Sequence, residues 1–413
     1  MPLLEVDVLV IEQIIIFFFL VIAIVMWIGN QLPIPYTVGL VIAGLILTII
    51  PTFHIELPEL ISELIMALLL PPILFQAAFK LQVKTLLKDF SLIAMLVTIG
   101  VLLTAIIVAG IITLLDPTIG LLSAAIFGAL ISAIDPVSVI ALFNENHVSH
   151  RLRTLIEGES LLNDGTAIVI FAIVLQVAQS GSDPNIWMGL LDFIRVSFGG
   201  VLVGGVIGYL VARLLYHIDD PIVEMMLTTC LAFGAYLLAE QFHVSGVLAV
   251  VAAGLMHGYV GFHNMGDNTQ QTVYTVWAYL AAVSEASVFL LIGLTVNLDD
   301  ILANLPLTII AIVAVLVSRF VVVYGLAPLH TRIFHPKRPL PFSWRHIMFW
   351  GGQRGAVSLA LALSLPPDLP QRAPLLIMTF GVVLFTSLIQ ATSMPWVIKN
   401  LDLGDGNEAV IDA

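Results

Sequence analysis

The chain has 413 residues, of which 60% are hydrophobic and only 10% are charged, and its mean hydropathy is +1.07. Since soluble domains carry about 25% charged residues, this composition excludes a soluble globular protein and predicts an integral membrane protein. The net charge of −13 argues against a nucleic-acid partner, and the single cysteine excludes a disulfide or cysteine–metal framework.

Apolar runs long enough to cross a bilayer as helices recur along the chain. An α-helix needs about 17 to 25 apolar residues to cross about 30 Å of hydrocarbon. Barrel strands would alternate in polarity over about ten residues, and no such pattern occurs. The sequence therefore predicts an all-α membrane protein with about thirteen transmembrane helices. Their approximate limits are 8–28, 36–50, 62–79, 91–115, 121–143, 155–179, 194–215, 222–241, 245–260, 272–296, 302–325, 346–366 and 375–398.

The basic residues set the expected orientation. No Lys or Arg precedes Lys80, so we expect the first span to be retained rather than cleaved as a signal peptide. With thirteen spans and an outside N-terminus, most Lys and Arg residues of the connections lie in the cytoplasm, and only Arg195 and Arg372 lie at outer edges. The positive-inside rule thus predicts a multi-pass protein with a short cytoplasmic tail, residues 399–413.

Two spans contain polar, helix-breaking interruptions. In SAIDPVSV, Pro136 lacks an N–H and pushes Asp135 out of helical geometry, which frees backbone carbonyls. In GGQRGAV, glycines around Arg354 permit a similar opening. The two interruptions are seven helices apart, an odd number, so the units that contain them are inverted relative to each other. Paired interruptions of this kind are typical of a substrate site near the midplane of a transporter.

Six ionisable residues lie at membrane depth: Asp135, Glu159, Asp164, Glu285, Arg319 and Arg354. Each would cost roughly 2.5 to 3.5 kcal/mol if it were unpaired. Four acids and two bases leave a formal charge of −2, which a metal cation or protons can neutralise. This balance predicts a cation site at which H⁺ competes.

The segment GESLLNDG places its polar residues on two helical faces. Glu159, Asn163 and Thr166 share one face, and Ser160 and Asp164 share the adjoining face. The second face can direct oxygen atoms at a ligand, together with Asp135 and the carbonyls freed near Ile134. Hard oxygen donors of this kind suit Na⁺ or Li⁺ and not thiophilic metals.

Five segments carry a family resemblance: SAIDPVSV, GESLLNDGTAIVIF, HVSGVLAVVAAGL, SEASVFLLIGL and GGQRGAVSLALAL. They resemble signature segments of the monovalent cation:proton antiporters, in the sodium/proton exchanger branch typified by prokaryotic NhaP-type proteins. The resemblance covers essentially the whole chain. It implies a homodimer in which residues 1–90 and 190–300 form dimerisation and scaffold helices. Residues 91–180 and 301–398 would form a six-helix, ion-transporting core with two discontinuous, crossing helices and elevator-type motion.

The resemblance also implies roles for individual residues. Asp164 would bind the cation and the proton, with Asp135, Ser160 and the Ile134 carbonyl as co-ligands. Glu159 would contact the ion through a water molecule. Asn163, Glu159 and Arg354 would form a stabilising network, and Glu285 and Arg319 would be supporting charges. Ile134 stands where the family often has Thr, which removes a hydroxyl but keeps the carbonyl.

Asn163, in place of a second acid beside Asp164, resembles the electroneutral branch and implies exchange of one cation for one proton. We expect no cofactor, a cell-membrane location, and Na⁺ or Li⁺ as substrate. A K⁺/H⁺ antiporter, another solute carrier on the same inverted fold and a channel remain open alternatives. The pair His243 and Ser245 could suggest an intramembrane hydrolase, but no acid or oxyanion motif accompanies it.

Overall fold

The computed structural model describes residues 8–29, 31, 36–48, 65–145, 148–180, 186–216, 218, 220–261, 266–295, 298–334 and 338–401. Within these ranges the backbone is almost entirely helical and contains no β-strand. The all-α fold predicted from hydropathy is therefore confirmed.

The described part of the chain contains fifteen principal helices. They are α1 (Val8–Gly29), α2 (Tyr36–Leu47), α3 (Ile65–Lys80), α4 (Phe90–Leu115), α5 (Leu121–Leu130), α6 (Val137–Glu145), α7 (His150–Ser180), α8 (Ile186–Leu215), α9 (Pro221–Gln241), α10 (Gly246–Val260), α11 (Asp267–Thr295), α12 (Leu305–Phe334), α13 (Phe342–Trp350), α14 (Ala356–Leu363) and α15 (Arg372–Asn400). Short helices at Val83–Lys88, Pro117–Ile119 and Leu298–Ala303 lie in the connections.

If α5 with α6 and α13 with α14 are each counted as one interrupted span, the described ranges make thirteen passes, as predicted. Seven helices are long and apolar enough to cross a membrane by length and composition, and five shorter apolar helices accompany them. α12 continues to Phe334, beyond the predicted limit. Its last turns carry polar residues such as Arg332, so hydropathy alone placed the end of the span too early. The predicted span ends at 49–50 and 62–64, and residues 402–413 of the tail, lie outside the described residues.

The two interruptions occur where the sequence predicts them. α5 ends at Leu130 and α6 begins at Val137, directly after Pro136. α13 ends at Trp350 and α14 begins at Ala356, and the intervening residues include three glycines. Both breaks lie in the protein interior, where backbone groups that leave the helical pattern can find protein partners.

The helices pack in two groups. The first group, which we call the scaffold, comprises α1–α3 and α8–α11. Within it α8 packs along α10, α2 along α11 and α10 along α3. The second group, which we call the core, comprises α4–α7 and α12–α15. Within it α4 packs on α5 and α12, and α12 packs on α15. α7 and α14 border the scaffold, where they contact α8, α10 and α11.

Small residues allow the scaffold helices to pack closely. A β-carbon on Gly204 of α8 would lie 1.9 Å from the carbonyl oxygen of Ala249 in α10, so only glycine fits at this contact. Gly200 and Gly208, one helical turn to either side, also approach the α10 backbone. This spacing of small residues is the one through which membrane helices associate by van der Waals packing.

The core consists of two structurally related units. Each begins with a long helix, α4 or α12, that contains a π-helical turn, at Leu96–Gly100 and Val321–Leu326 respectively. Each continues with an interrupted span and ends with a long helix, α7 or α15. Seven spans separate equivalent helices, so the two units run in opposite directions through the membrane. This is the inverted-repeat architecture that the sequence predicts.

A buried ion cluster joins three segments of the core at one end. Asp89, 3% exposed, accepts hydrogen bonds from Arg151 Nε at 3.0 Å and Nη2 at 2.8 Å, and Arg338 Nη1 lies 3.4 Å from it. The Arg151 guanidinium also stacks over Trp344, with its central carbon 5.5 Å from the ring centre. We call this group the Asp89 cluster. It ties the starts of α4 and α7 to the segment that leads into α13.

Candidate functional site

The two interruptions cross at the centre of the core. The Asp135 backbone N–H donates to the Gln353 carbonyl at 2.8 Å, which links one break directly to the other. Arg354 Nη1 donates to the carbonyls of Ser132 and Ala133 at 2.6 and 3.0 Å. Carbonyls freed by Pro136 are therefore hydrogen-bonded by a side chain from the opposite break, which satisfies backbone groups that hydrocarbon could not.

The Asp135 carboxylate lies between the starts of two half-helices. It accepts hydrogen bonds from the Val137 N–H of α6, at 3.3 Å, and from the Ala356 N–H of α14. Helix N-termini carry a partial positive charge, and two of them stabilise a carboxylate that has no arginine or lysine partner among the described residues. The approach is close: a β-carbon on Gly355 would lie 2.0 Å from Asp135 Oδ2.

Asp164 and Ser160 of α7 meet the same break. The Ser160 hydroxyl donates to the Ile134 carbonyl at 2.9 Å, and the Asp164 carboxylate accepts from the Ile134 N–H. Asp164 also lies within electrostatic range of both Asp135 and Arg354. The four oxygen donors proposed from the sequence, namely Asp164, Asp135, Ser160 and the Ile134 carbonyl, are thus brought together by the structure.

A cavity of about 190 Å³ opens onto these oxygen atoms. Its core wall contains Asp135, Ser160 and Asp164, and its scaffold wall is formed by α3 and α11. This volume has room for several water molecules, so a hydrated cation can approach the carboxylates. Lys80 and Glu157 also line the cavity.

Within the predicted network, Glu159 lies within electrostatic range of Arg354 but forms its ion pair with Arg319. Glu159, 2% exposed, is bound bidentately by Arg319 of α12, with nitrogen–oxygen distances of 2.5 and 3.1 Å. Arg319 also donates to the Met348 carbonyl at the end of α13. Arg354 is instead occupied by carbonyls of the opposite break. Arg319 is therefore a member of the central network, and Glu159 does not line the cavity.

The remaining predicted residues lie near the crossing in different settings. Asn163 is buried on α7, and its side-chain oxygen has no hydrogen-bond partner among the described residues. Glu285 of α11 lines the scaffold wall of the cavity and is hydrogen-bonded to the Tyr36 side chain. Ser245 caps α10, its hydroxyl accepting from the Leu248 N–H at 3.2 Å, which gives it a structural role.

Sequence reasoning missed several residues near the site. Tyr36, which is hydrogen-bonded to Glu285, was not assigned to the site, nor was Glu157, which lines the cavity and pairs with Arg153 at 2.8 Å. The Asp89 cluster at one end of the core was also not identified. The sequence also does not distinguish Arg151 from Arg153, which are two residues apart and differ in burial. Only the packing of α4 against α7 makes one arginine buried and the other partly exposed.

Two crossing, interrupted helices that direct carboxylates at a cavity within a membrane-spanning bundle define a secondary ion transporter. The model of the transmembrane sodium/hydrogen exchanger family matches residues 16–400. The Na⁺/H⁺ antiporter ApNhaP of Aphanothece halophytica is 39% identical over 373 residues, which cover 90% of this chain and 70% of that protein. The Na⁺/H⁺ antiporter NhaP of Pseudomonas aeruginosa is 36% identical over 397 residues, which cover 90% of this chain and 92% of that protein. The chain belongs to the sodium/hydrogen exchanger family.

The fold agrees with this assignment. The structure of the sodium proton antiporter MjNhaP1 from Methanocaldococcus jannaschii at pH 8 superposes with a TM-score of 0.78 and 21% identity, covering 96% of this chain and 100% of that one. The resemblance to NhaP-type proteins is therefore confirmed, and the relatives are transporters rather than enzymes. The hydrolase alternative built on His243 and Ser245 is wrong. Sodium ions and protons are the substrates of this family, and no cofactor is indicated.

Proposed function

We propose that this protein exchanges one Na⁺ or Li⁺ for one H⁺ by competition of the two ions at Asp164. The observation that carries the proposal is the convergence of Asp164, Asp135, Ser160 and the Ile134 carbonyl on one cavity at the helix crossing. These are hard oxygen donors suited to alkali ions. A carboxylate that holds either the cation or the proton couples the two fluxes without a separate proton site.

The charge balance supports an electroneutral exchange. Arg319 neutralises Glu159, and Asn163 occupies the position beside Asp164 where a second acid would add a charge. If the site carries the same net charge with sodium as with a proton, membrane voltage does no work on the exchange. The driving force is then the pH and sodium gradients alone.

The packing supports movement of the core against the scaffold. The proposed ligands all belong to the core, whereas one wall of the cavity belongs to the scaffold. A rigid-body displacement of the core would carry the site past that wall to the other side of the membrane. We assign the scaffold, residues 1–90 and 190–300, to dimerisation, and the core, residues 91–180 and 301–398, to elevator motion. The protein would lie in the cell membrane with its N-terminus outside, as a homodimer.

Antiport is tested in proteoliposomes that contain a pH-sensitive dye. NaCl or LiCl added to acid-loaded vesicles is expected to raise the internal pH with wild-type protein and not with Asp164→Asn. Asp300→Asn, which changes an exposed acid outside the site, is the matched control and should retain exchange. Sodium-driven proton flux in Asp164→Asn would overturn the mechanism. A response to KCl alone would instead assign the K⁺/H⁺ alternative.

Electroneutrality has its own test. At equal internal and external pH, a potassium diffusion potential set with valinomycin is expected to drive no uptake of radioactive sodium. Uptake that follows the imposed voltage would contradict one-for-one exchange and leave the antiport itself standing.

A further inference from the structure

One carboxylate lines the cavity from its scaffold wall, whereas the proposed ligands lie in its core wall. Glu285 of α11 is only 9% exposed, lines the same cavity as Asp135 and Asp164, and lies within electrostatic range of Asp135. Its Oε1 atom has no hydrogen-bond partner among the described residues. The Tyr36 hydroxyl of α2 hydrogen-bonds to the carboxylate.

This carboxylate has no structural ion partner. Among the described residues, no lysine or arginine forms an ion pair with Glu285, whereas the buried Glu159 is bound bidentately by Arg319. A carboxylate at membrane depth that lacks an internal cation is costly and marks an ion pathway. The Glu285 side chain lines the cavity that also contains the proposed ligands Asp135 and Asp164, so its carboxylate is available to a cation there.

Glu285 and the proposed ligands belong to different helix groups. α11 and α2 pack together in the scaffold, whereas α5, α6 and α7, which supply Asp135, Ser160 and Asp164, belong to the core. If the core moves against the scaffold, Asp135 and Asp164 travel with the bound ion and Glu285 stays behind. The carboxylate of Glu285 is then close to the ion in only one of the two orientations.

We propose that Glu285 is a stationary cation-binding residue, held by Tyr36, that strengthens sodium binding only while the site faces this cavity. The inference rests on the proposed alternating access of the core. It makes affinity for the cation unequal on the two sides of the membrane, and a ligand shifts a conformational equilibrium only through such differential affinity. Sodium would thereby favour the orientation in which the cavity is open.

The expected size of the effect follows from electrostatics. A unit negative charge several ångströms from a monovalent cation, at the effective dielectric of a partly hydrated site, changes affinity on the order of tenfold. Glu285→Gln keeps the size and hydrogen-bonding capacity of the side chain and removes the charge. It should therefore raise the apparent KM for sodium about tenfold on the cavity side and leave the apparent KM on the other side within a factor of two.

The experiment measures sodium-dependent exchange in everted and right-side-out vesicles prepared from the same cells, which present opposite faces of the protein. Ser287→Ala, two residues away on the same helix, is the control and should match wild type at both faces. A KM shift confined to the face onto which the cavity opens, which is the cytoplasmic face in the proposed orientation, supports the proposal. Equal shifts at both faces, or no shift at either, would overturn it.

Two further comparisons separate folding and mechanism from this inference. If Glu285→Gln does not accumulate in the membrane, Glu285→Asp replaces it. Glu285→Asp shortens the side chain by one methylene group and so moves the charge away from the cavity. It should raise the apparent KM for sodium by a smaller factor at the same face, and an unchanged KM would also overturn the proposal. If wild-type vesicles show no sodium/proton exchange at all, the proposed function fails instead, and the two failures are distinct.

Discussion

At the residue scale, the buried charges of the core are stabilised in three different ways. Glu159 and Arg319 neutralise each other, Arg354 is bound by carbonyls of the opposite break, and Asp135 accepts from two helix N-termini. Asp135, Asp164 and Glu285 line the cavity, whereas Glu159, Arg319 and Arg354 do not. The division separates charges that hold the fold together from charges that are available to a transported ion.

The Glu159–Arg319 pair should contribute strongly to stability. Glu159→Gln leaves the Arg319 guanidinium buried without its counter-charge, and breaking a buried ion pair in this way costs about 3–5 kcal/mol. We expect a clearly lower midpoint of thermal unfolding in detergent. Glu157→Gln is the matched control, since Glu157 lies two residues earlier and pairs with a partly exposed Arg153.

Exposed pairs of the Glu157–Arg153 kind contribute about 0.3–0.5 kcal/mol, so the control midpoint should stay close to that of wild type. Similar midpoints for the two variants would show that the Glu159 pair is no more important than a surface pair. That result would return Glu159 to the ligand role suggested by the family resemblance.

Which arginine binds Glu159 could not be read from the sequence. The helical spacing of Glu159 and Asn163 correctly separates them from Ser160 and Asp164, because the 100° step per residue depends only on the helix itself. The choice between Arg319 and Arg354 depends on how α12 and the second break pack against α7. No periodicity within one helix contains that information, and the same is true of the bond between Tyr36 and Glu285.

At the element scale, the interrupted helices depend on a close approach between their breaks. Gly355 permits it, because a β-carbon there would overlap the Asp135 carboxylate. Gly355→Ala should therefore push the two breaks apart, displace Asp135 from the cavity and abolish exchange. Gly110→Ala is the control, since nothing lies within 4 Å of a β-carbon at that position in α4.

Exchange in proteoliposomes, normalised to the amount of folded protein, measures both glycine variants. Full activity in Gly355→Ala would mean that the crossing can widen without loss of function. If Gly110→Ala also abolished exchange, the core helices would be intolerant of substitution in general, and the result for Gly355→Ala would not be specific to the crossing.

The Asp89 cluster joins three elements through one side chain, Arg151. Arg151→Lys keeps the charge but loses the two-nitrogen contact with Asp89 and the stacking over Trp344. We expect a destabilisation of about 1–3 kcal/mol, measured as a lower midpoint of thermal unfolding. Arg153→Lys, two residues away and partly exposed, should change the midpoint little. If both variants unfold alike, the cluster does not secure the ends of these helices.

The sequence predicts elements better than it predicts their partners. Thirteen spans follow from hydropathy, and both interruptions follow from Pro136 and the glycines around Arg354, because these are local properties of the chain. The cavity between α3, α11 and the core depends on contacts between residues far apart in sequence. For that reason the sequence predicts that a cation site exists, but it does not predict which scaffold helices form the wall of the cavity.

At the scale of the whole molecule, the boundary between scaffold and core is where transport would occur. The cavity lies on this boundary, with the proposed ligands on one wall and Glu285 on the other. α7 crosses the same boundary, and a β-carbon on Gly165 would touch the side chain of Leu248 in α10. Movement of the core requires this contact to slide, whereas a mechanism confined to side chains within the site does not.

A disulfide across this boundary should therefore stop exchange. A β-carbon on Gly165 would lie 2.5 Å from Leu248 Cγ, which places two cysteine β-carbons there about 3.5–4.5 Å apart, as a disulfide requires. Gly165→Cys with Leu248→Cys, built on Cys230→Ala, is expected to lose exchange on oxidation and to recover it on reduction. Gly199→Cys with Val244→Cys, within the scaffold, is the matched control, since the two β-carbons would be 3.1 Å apart and a shift of a few tenths of an ångström, on the order of 0.4 Å, brings them into the same range. The oxidised control should remain active, because its disulfide joins two parts of the scaffold and does not link the scaffold to the core. Exchange that persists in the fully oxidised Gly165→Cys/Leu248→Cys variant would rule out movement of the core past α10.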